Sequence, residues 1–145
     1  MVNISSHIKV SAFILILYEI FIGFKLDIWT LTVFLAGWII DIDHQFDLYI
    51  NYKQFVFNST KAAEMHRKIR KLYILLHCYE WIIFLVLLTP ILIPKMTLIF
   101  LIINYLIHLL LDTKYNRVRL FTYSFIYRFL NKFDNNHFII EEDAK

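Results

Sequence analysis

The residues of this chain that can do chemistry are histidines and carboxylates, and they fall in groups. Asp41-Ile42-Asp43-His44 with Asp47 is one group, His77-x-x-Glu80 a second and His108-x-x-x-Asp112 a third. Neutral imidazole and carboxylate are the usual ligands of Zn²⁺, Mn²⁺ and iron. A carboxylate left uncoordinated beside water is a general base. Metal-assisted or acid/base catalysis is therefore the chemistry these residue types offer. The helical period of about 3.6 residues puts His108 and Asp112 about 40° apart and one turn from each other. His77 and Glu80 stand about 60° apart on the same basis, and Asp43, His44 and Asp47 share an arc of about 100°. Asp41 and Asp43 diverge by about 160°, so they can face one point only where a helix ends or unwinds.

Each group closes or opens an apolar run, and those runs are the elements that must position it. The chain has 145 residues, a single-domain length, with 59% hydrophobic residues, 18% aromatics, two glycines and two prolines. Its mean hydropathy is +0.58. The segments 8–24, 28–44, 72–93 and 96–112 are apolar all round rather than amphipathic, which predicts four membrane-crossing helices. Thirteen of the 15 Lys and Arg residues fall on the side that holds both termini and the loop 45–71; Lys25 and Lys95 fall on the other. That bias places both termini on the cytoplasmic side of a cell (inner) membrane. Counting spans then brings all three polar groups to one depth, at the cytoplasmic interface.

The expected fold is all-α: an integral membrane four-helix bundle forming one domain over residues 1–145. A C-terminal interfacial amphipathic helix over 116–133 completes it, because Val118, Phe121, Phe125, Phe129 and Phe133 recur at three- and four-residue intervals. The first run carries Glu19 and lacks a small-x-small cleavage site, so it reads as an anchor rather than a signal peptide. The net charge of +3 belongs to topology and lipid headgroups; no separate basic domain offers itself to nucleic acid. Membrane lipid, with a possible amphiphilic substrate, is the expected partner. The lone Cys78 excludes an intrachain disulfide and lacks a nucleophile's base pattern beyond neighbouring His77.

Each polar residue also has a bland reading. A His or Asp at a helix end can merely cap it or reach water. Ionisable residues inside spans cost about 2.5–3.5 kcal/mol each on insertion scales, which favours a shared site over three inert groups. His66 lies eleven residues before His77, about 16 Å along an unbroken helix, and joins the site only if the loop folds back. His7 and His137 read as solvated tail residues. Glu19, in the outer half of the first helix, reads as paired with Lys25 or Asn104.

The stretch from Gly37 to His44 resembles a glycine-led Pro-Asp-x-Asp-His signature, with Ile40 in the proline position. The signature belongs to small membrane-bound metal-dependent hydrolases, whose bacterial members are described as LexA-binding, inner-membrane-associated hydrolases. Leu76-His77-Cys78-Tyr79-Glu80 is similar to the family's second motif, and the segment from Asn104 through His108 to Asp112 to its closing His-x-x-x-Asp element. The resemblance covers roughly Gly37 to Asp112 and implies a metal site and hydrolysis. Asp43, His44, His77, His108 and Asp112 are the candidate ligands of a divalent ion, zinc first, with manganese or iron as alternatives. Glu80 or Asp41 would activate water. A phospholipid or other amphiphilic phosphate or ester suits the site's depth and its flanking arginines. A non-catalytic scaffold held together by polar clusters is the alternative, and a proton-relay or transport subunit ranks behind both.

Overall fold

A computed structural model describes residues 4–56, 58–88, 93–116 and 118–138. All of the regular structure among them is helical: α1 (Ile4–Ile22), α2 (Ile28–Leu35), α3 (Ile42–Tyr52), α4 (Ser59–Lys68), α5 (Glu80–Leu88), α6 (Lys95–Asn116) and α7 (Phe125–Leu130). Short 3₁₀ turns cover Ile39–Asp41, Leu120–Tyr123 and Asn135–His137.

The frame is the packing of α1, α2 and α6 on one another. α1 stops at Gly23, whose φ of +85° suits a residue without a side chain, and the Gly23 and Phe24 N–H groups return to the Glu19 carbonyl at 3.0 and 2.9 Å. Asp27 then starts α2 with a capping box, accepting from Trp29 and Thr30 N–H at 2.8 and 3.0 Å. α1 and α6 run antiparallel in one register, marked by His7 beside Asp112, Ser11 bonded to Asn104 at 3.3 Å, and Tyr18 bonded to Thr97 at 2.9 Å. Asn104 also donates to the Val33 carbonyl at 2.8 Å, tying in α2. Ile14, Tyr18, Val33, Phe100 and Leu101 bury the apolar part of this seam. Glu19 finds Thr30 Oγ1 at 2.7 Å as its partner, not Lys25's side chain or Asn104.

Four spans were expected; among the described residues one helix, α6, is long and apolar enough to cross a membrane, with 22 residues and a mean hydropathy of 1.8 over an 18-residue window. α1 forms as one helix of 19 residues but is not among the spans, and the other two expected spans are broken. The expected helix over 28–44 breaks after Leu35, because Gly37 lets the chain pass closely between Ser11 and Asn104; a Cβ there would meet both side chains. The expected helix over 72–93 begins at Glu80, and its residues 89–92 lie outside those described.

The segment 71–79 stays out of a helix because side chains from elsewhere take its backbone groups. Asp47 accepts from Tyr73 and Ile74 N–H at 3.0–3.2 Å, and Asp43 Oδ2 from Leu76 and His77 N–H at 2.7 and 3.2 Å. The fully buried Arg128 donates to the Tyr73 and Ile74 carbonyls, both at 2.7 Å. Tyr105 Oη accepts from Cys78 N–H at 3.1 Å and stands 2.6 and 2.8 Å from the Leu76 and Cys78 carbonyls. The expected surface helix over 116–133 is likewise broken: α6 runs on to Asn116, Arg117 lies outside the described residues, and a 3₁₀ turn precedes the six-residue α7.

The loop 45–71 is folded. Lys53 ends α3 in the left-handed region, the Gln45 side chain brackets Val56 N–H and C=O at 2.9 and 3.0 Å, and Asn58 caps α4. Leu48, Val56, Ala62 and Ile69 then pack α4 back onto α3.

Candidate metal centre

The 3₁₀ turn Ile39–Asp41 ahead of α3 supplies the unwinding that Asp41 and Asp43 require. With it, α3 presents Asp43 and His44, the segment 71–79 presents His77, α6 presents His108 and Asp112, and all are buried. His77 Nε2 lies 3.0 Å from His108 Nε2, 3.0 Å from Asp112 Oδ2 and 3.7 Å from Asp41 Oδ1. His108 Nε2 is 3.4 Å from Asp112 Oδ2 and 3.6 Å from Asp41 Oδ1. His44 Nε2 is 3.8 Å from Asp112 Oδ2.

Neighbours fix which ring atoms face inward. His108 Nδ1 is 2.6 Å from the Gly37 carbonyl, which can only accept, so the proton sits on Nδ1 and the Nε2 lone pair points into the cluster. His77 Nδ1 is 2.8 Å from Asp43 Oδ1, with the ring turned off the ideal hydrogen-bond line; the carboxylate favours the same tautomer. The two imidazole Nε2 atoms thus stand 3.0 Å apart, and each lies 3.0–3.7 Å from one oxygen of Asp41 and one of Asp112. Electron-rich atoms this close need positive charge between them. Asp41 Oδ2, Asp112 Oδ2 and both ring nitrogens of His44 are buried without hydrogen-bond partners. Nitrogen and oxygen donors arranged this way fit a divalent ion. Ligand atoms of Asp41, His44, His77 and Asp112 all lie within 4.8 Å of one another, close enough to hold a metal ion.

Four residues take roles other than those expected. Asp43 orients His77 and the backbone at 76–77 instead of joining the ligand atoms, while Asp41, expected as a base, stands among them. Glu80 is not in the centre: its carboxylate accepts from Ser124 Oγ at 2.6 Å and from Phe125 and Ile126 N–H at 2.9 and 3.2 Å, the free donors at the start of α7. With no helix through 77–80, the two residues lose the common face that the spacing predicts. His7, expected in a solvated tail, is buried with its ring stacked on His108 at 4.0 Å and its Nε2 3.3 Å from Asp112 Oδ1. Its signal was present in the sequence: His7, Ser11 and Tyr18, spaced by four and seven, mirror Thr97, Asn104 and His108 along the facing helix.

The fold-back required for His66 occurs. His66 Nε2 is 3.0 Å from the His44 carbonyl, so its Nε2–H donates there and is not free to bind an ion. Burial, reinforced by the neighbouring His44, pushes its pKa down to about 3. His137 is exposed. The Cys78 thiol is buried at 2.9 Å from the Leu75 carbonyl and 2.7 Å from Arg128 Nη2, away from the cluster's ligand atoms. A cavity of about 50 Å³ opens beside the centre, lined by His44, His66, Arg67, Asn116 and Tyr123 among others.

The fold and site define an all-helical protein with a buried His/Asp cluster able to hold a metal ion. No family model, curated protein or solved structure matches the chain.

Proposed function

We propose that this protein is a membrane-embedded, metal-dependent hydrolase of the small inner-membrane type that its motifs resemble. The observation that carries the reading is the inward-facing set of His44, His77, His108, Asp41 and Asp112, whose buried atoms lack enough protein partners. A divalent ion held there would polarise a carbonyl or phosphoryl oxygen and acidify bound water. The chain's own residues do the rest. Gly37 C=O and Asp43 hold the imidazoles in the tautomers that face inward. Asp41 Oδ2, buried and unpartnered, is the proton acceptor beside the cluster. The cavity at His44 admits the scissile group, with the exposed Arg67 at its rim available to an anionic headgroup.

Membrane embedding is supported by α6 and by the outward apolar faces of its neighbours. Phe13, Ile16, Ile20 and Phe21 of α1 and Ile83, Phe84 and Leu87 of α5 are all more than half exposed or at half exposure. Exposed apolar faces of that kind are a poor match to water and a good one to acyl chains. With both termini on the cytoplasmic side, the site sits at headgroup depth, which favours an amphiphilic phosphate or ester as substrate. The scaffold alternative gains less, because Ser11–Asn104 and Tyr18–Thr97 already tie the helices together without the metal-ligating groups.

The test is elemental analysis and turnover on the purified full chain in lipid, wild type beside His108→Ala and Asp112→Ala. The reading predicts near-stoichiometric metal and hydrolysis of anionic phospholipid in the wild type, with both lost in the variants while helicity persists. Sub-stoichiometric metal, equal in all three proteins, contradicts it.

A further inference from the structure

We infer that the centre is binuclear, with His7 of the first helix a ligand and Asp41 and Asp112 shared between two ions; the inference rests on the metal-dependent reading above. Two sets of buried ligand atoms, each mutually within 4.8 Å, overlap in the structure: His7, Asp41, His108 and Asp112 form one, and Asp41, His44, His77 and Asp112 the other. Both sets contain two imidazoles and the same two carboxylates. One four-coordinate ion could satisfy at most one set and would leave two buried imidazoles idle.

The carboxylate atoms are disposed for sharing. Asp112 Oδ1 faces His7 Nε2 at 3.3 Å, while Oδ2 faces His77 and His44 Nε2 at 3.0 and 3.8 Å. Asp41 Oδ1 stands between the sets, 3.7 Å from His77 Nε2 and 3.6 Å from His108 Nε2. Each ion would thus draw two imidazole nitrogens, one Asp112 oxygen and the common Asp41 oxygen, leaving Asp41 Oδ2 free. The second observation is His7 itself: 2% exposed, with neither ring nitrogen hydrogen-bonded, and held over His108 at 4.0 Å. Two stacked, fully buried imidazoles on adjacent helices are an unfavourable arrangement unless they ligate something. Charge is consistent as well. Two divalent ions facing Asp41, Asp43 and Asp112 leave a net positive centre, suited to an anionic ester rather than a neutral one.

The experiment loads chelator-stripped full-length protein with Mn²⁺ and reads ions per chain by mass spectrometry and coupling by electron paramagnetic resonance. The wild type should hold two ions with an exchange-coupled signal. His7→Ala should hold one with an isolated six-line spectrum, and His7→Asn should do the same if the alanine variant folds poorly. Asp112→Asn, which removes the bridge, should lose most of both. One ion per chain in the wild type, unchanged in both His7 variants, overturns the binuclear centre while leaving the hydrolase reading intact. No bound ion in any protein overturns both.

Discussion

Asp43 Oδ1 lies 2.8 Å from His77 Nδ1, and the same carboxylate's Oδ2 accepts from the backbone N–H groups of Leu76 and His77 at 2.7 and 3.2 Å. One side chain therefore fixes both where His77 is and which nitrogen it offers. Replacing Asp43 with Ala should weaken metal binding about 10- to 100-fold, the usual range for a lost outer partner of a ligating histidine. Chelator competition measures it; an unchanged affinity would mean that His77 does not need Asp43.

Gly37, in the turn after α2, packs against Ser11 of α1 and Asn104 of α6, and its carbonyl holds His108 at 2.6 Å. Gly37→Ala forces a methyl group into Ser11 and Asn104. Overpacking of this kind costs about 1–3 kcal/mol. Thermal unfolding should show it, together with weaker metal binding because His108 loses its register. A neutral substitution would contradict the packing described.

Glu80 separates the sequence expectation from the structure most cleanly. Its carboxylate caps the start of α7, so Glu80→Ala should cost about 1 kcal/mol, as capping losses do, and leave metal content unchanged. Loss of metal at retained stability would restore it to the site.

His66 supplies a pH signature. Its folded pKa of about 3 lies below the ordinary value of 6.5, so the folded state refuses a proton that the unfolded chain accepts. The stability associated with a neutral His66 is complete above pH 6.5 and declines as pH falls from 6.5 toward 3. A His66→Gln variant keeps a donor for the His44 carbonyl without the titration, and its acid-unfolding midpoint should move to lower pH. A midpoint moved upward would show that His66 is charged in the fold.

How much of this was legible in the sequence follows from which forces act locally. His108 and Asp112 lie on one regular helix, and their pairing follows from the helical period alone. That Asp41 and Asp43 need an unwound turn to face one point was equally legible, and the turn is there. The segment 71–79 was not legible. Its composition is that of an apolar helix, yet Asp43, Asp47, Tyr105 and Arg128, remote in sequence, satisfy its backbone in another conformation. Glu80 and His77 lost their shared face for the same reason. His7 was missed because its polar neighbours near the chain start suggested a tail. The matching spacing of His7, Ser11 and Tyr18 against Thr97, Asn104 and His108 is visible only once α1 and α6 are set antiparallel.

Binding of a divalent ion by the buried histidines and aspartates is tested most directly by X-ray absorption at the zinc edge of the zinc-loaded protein. The expected result is a first shell of nitrogen and oxygen at about 2.0–2.2 Å with the outer-shell scattering of imidazole, abolished in Asp112→Asn. A shell with sulfur at about 2.3 Å, or zinc scattering unaltered in that variant, would contradict it.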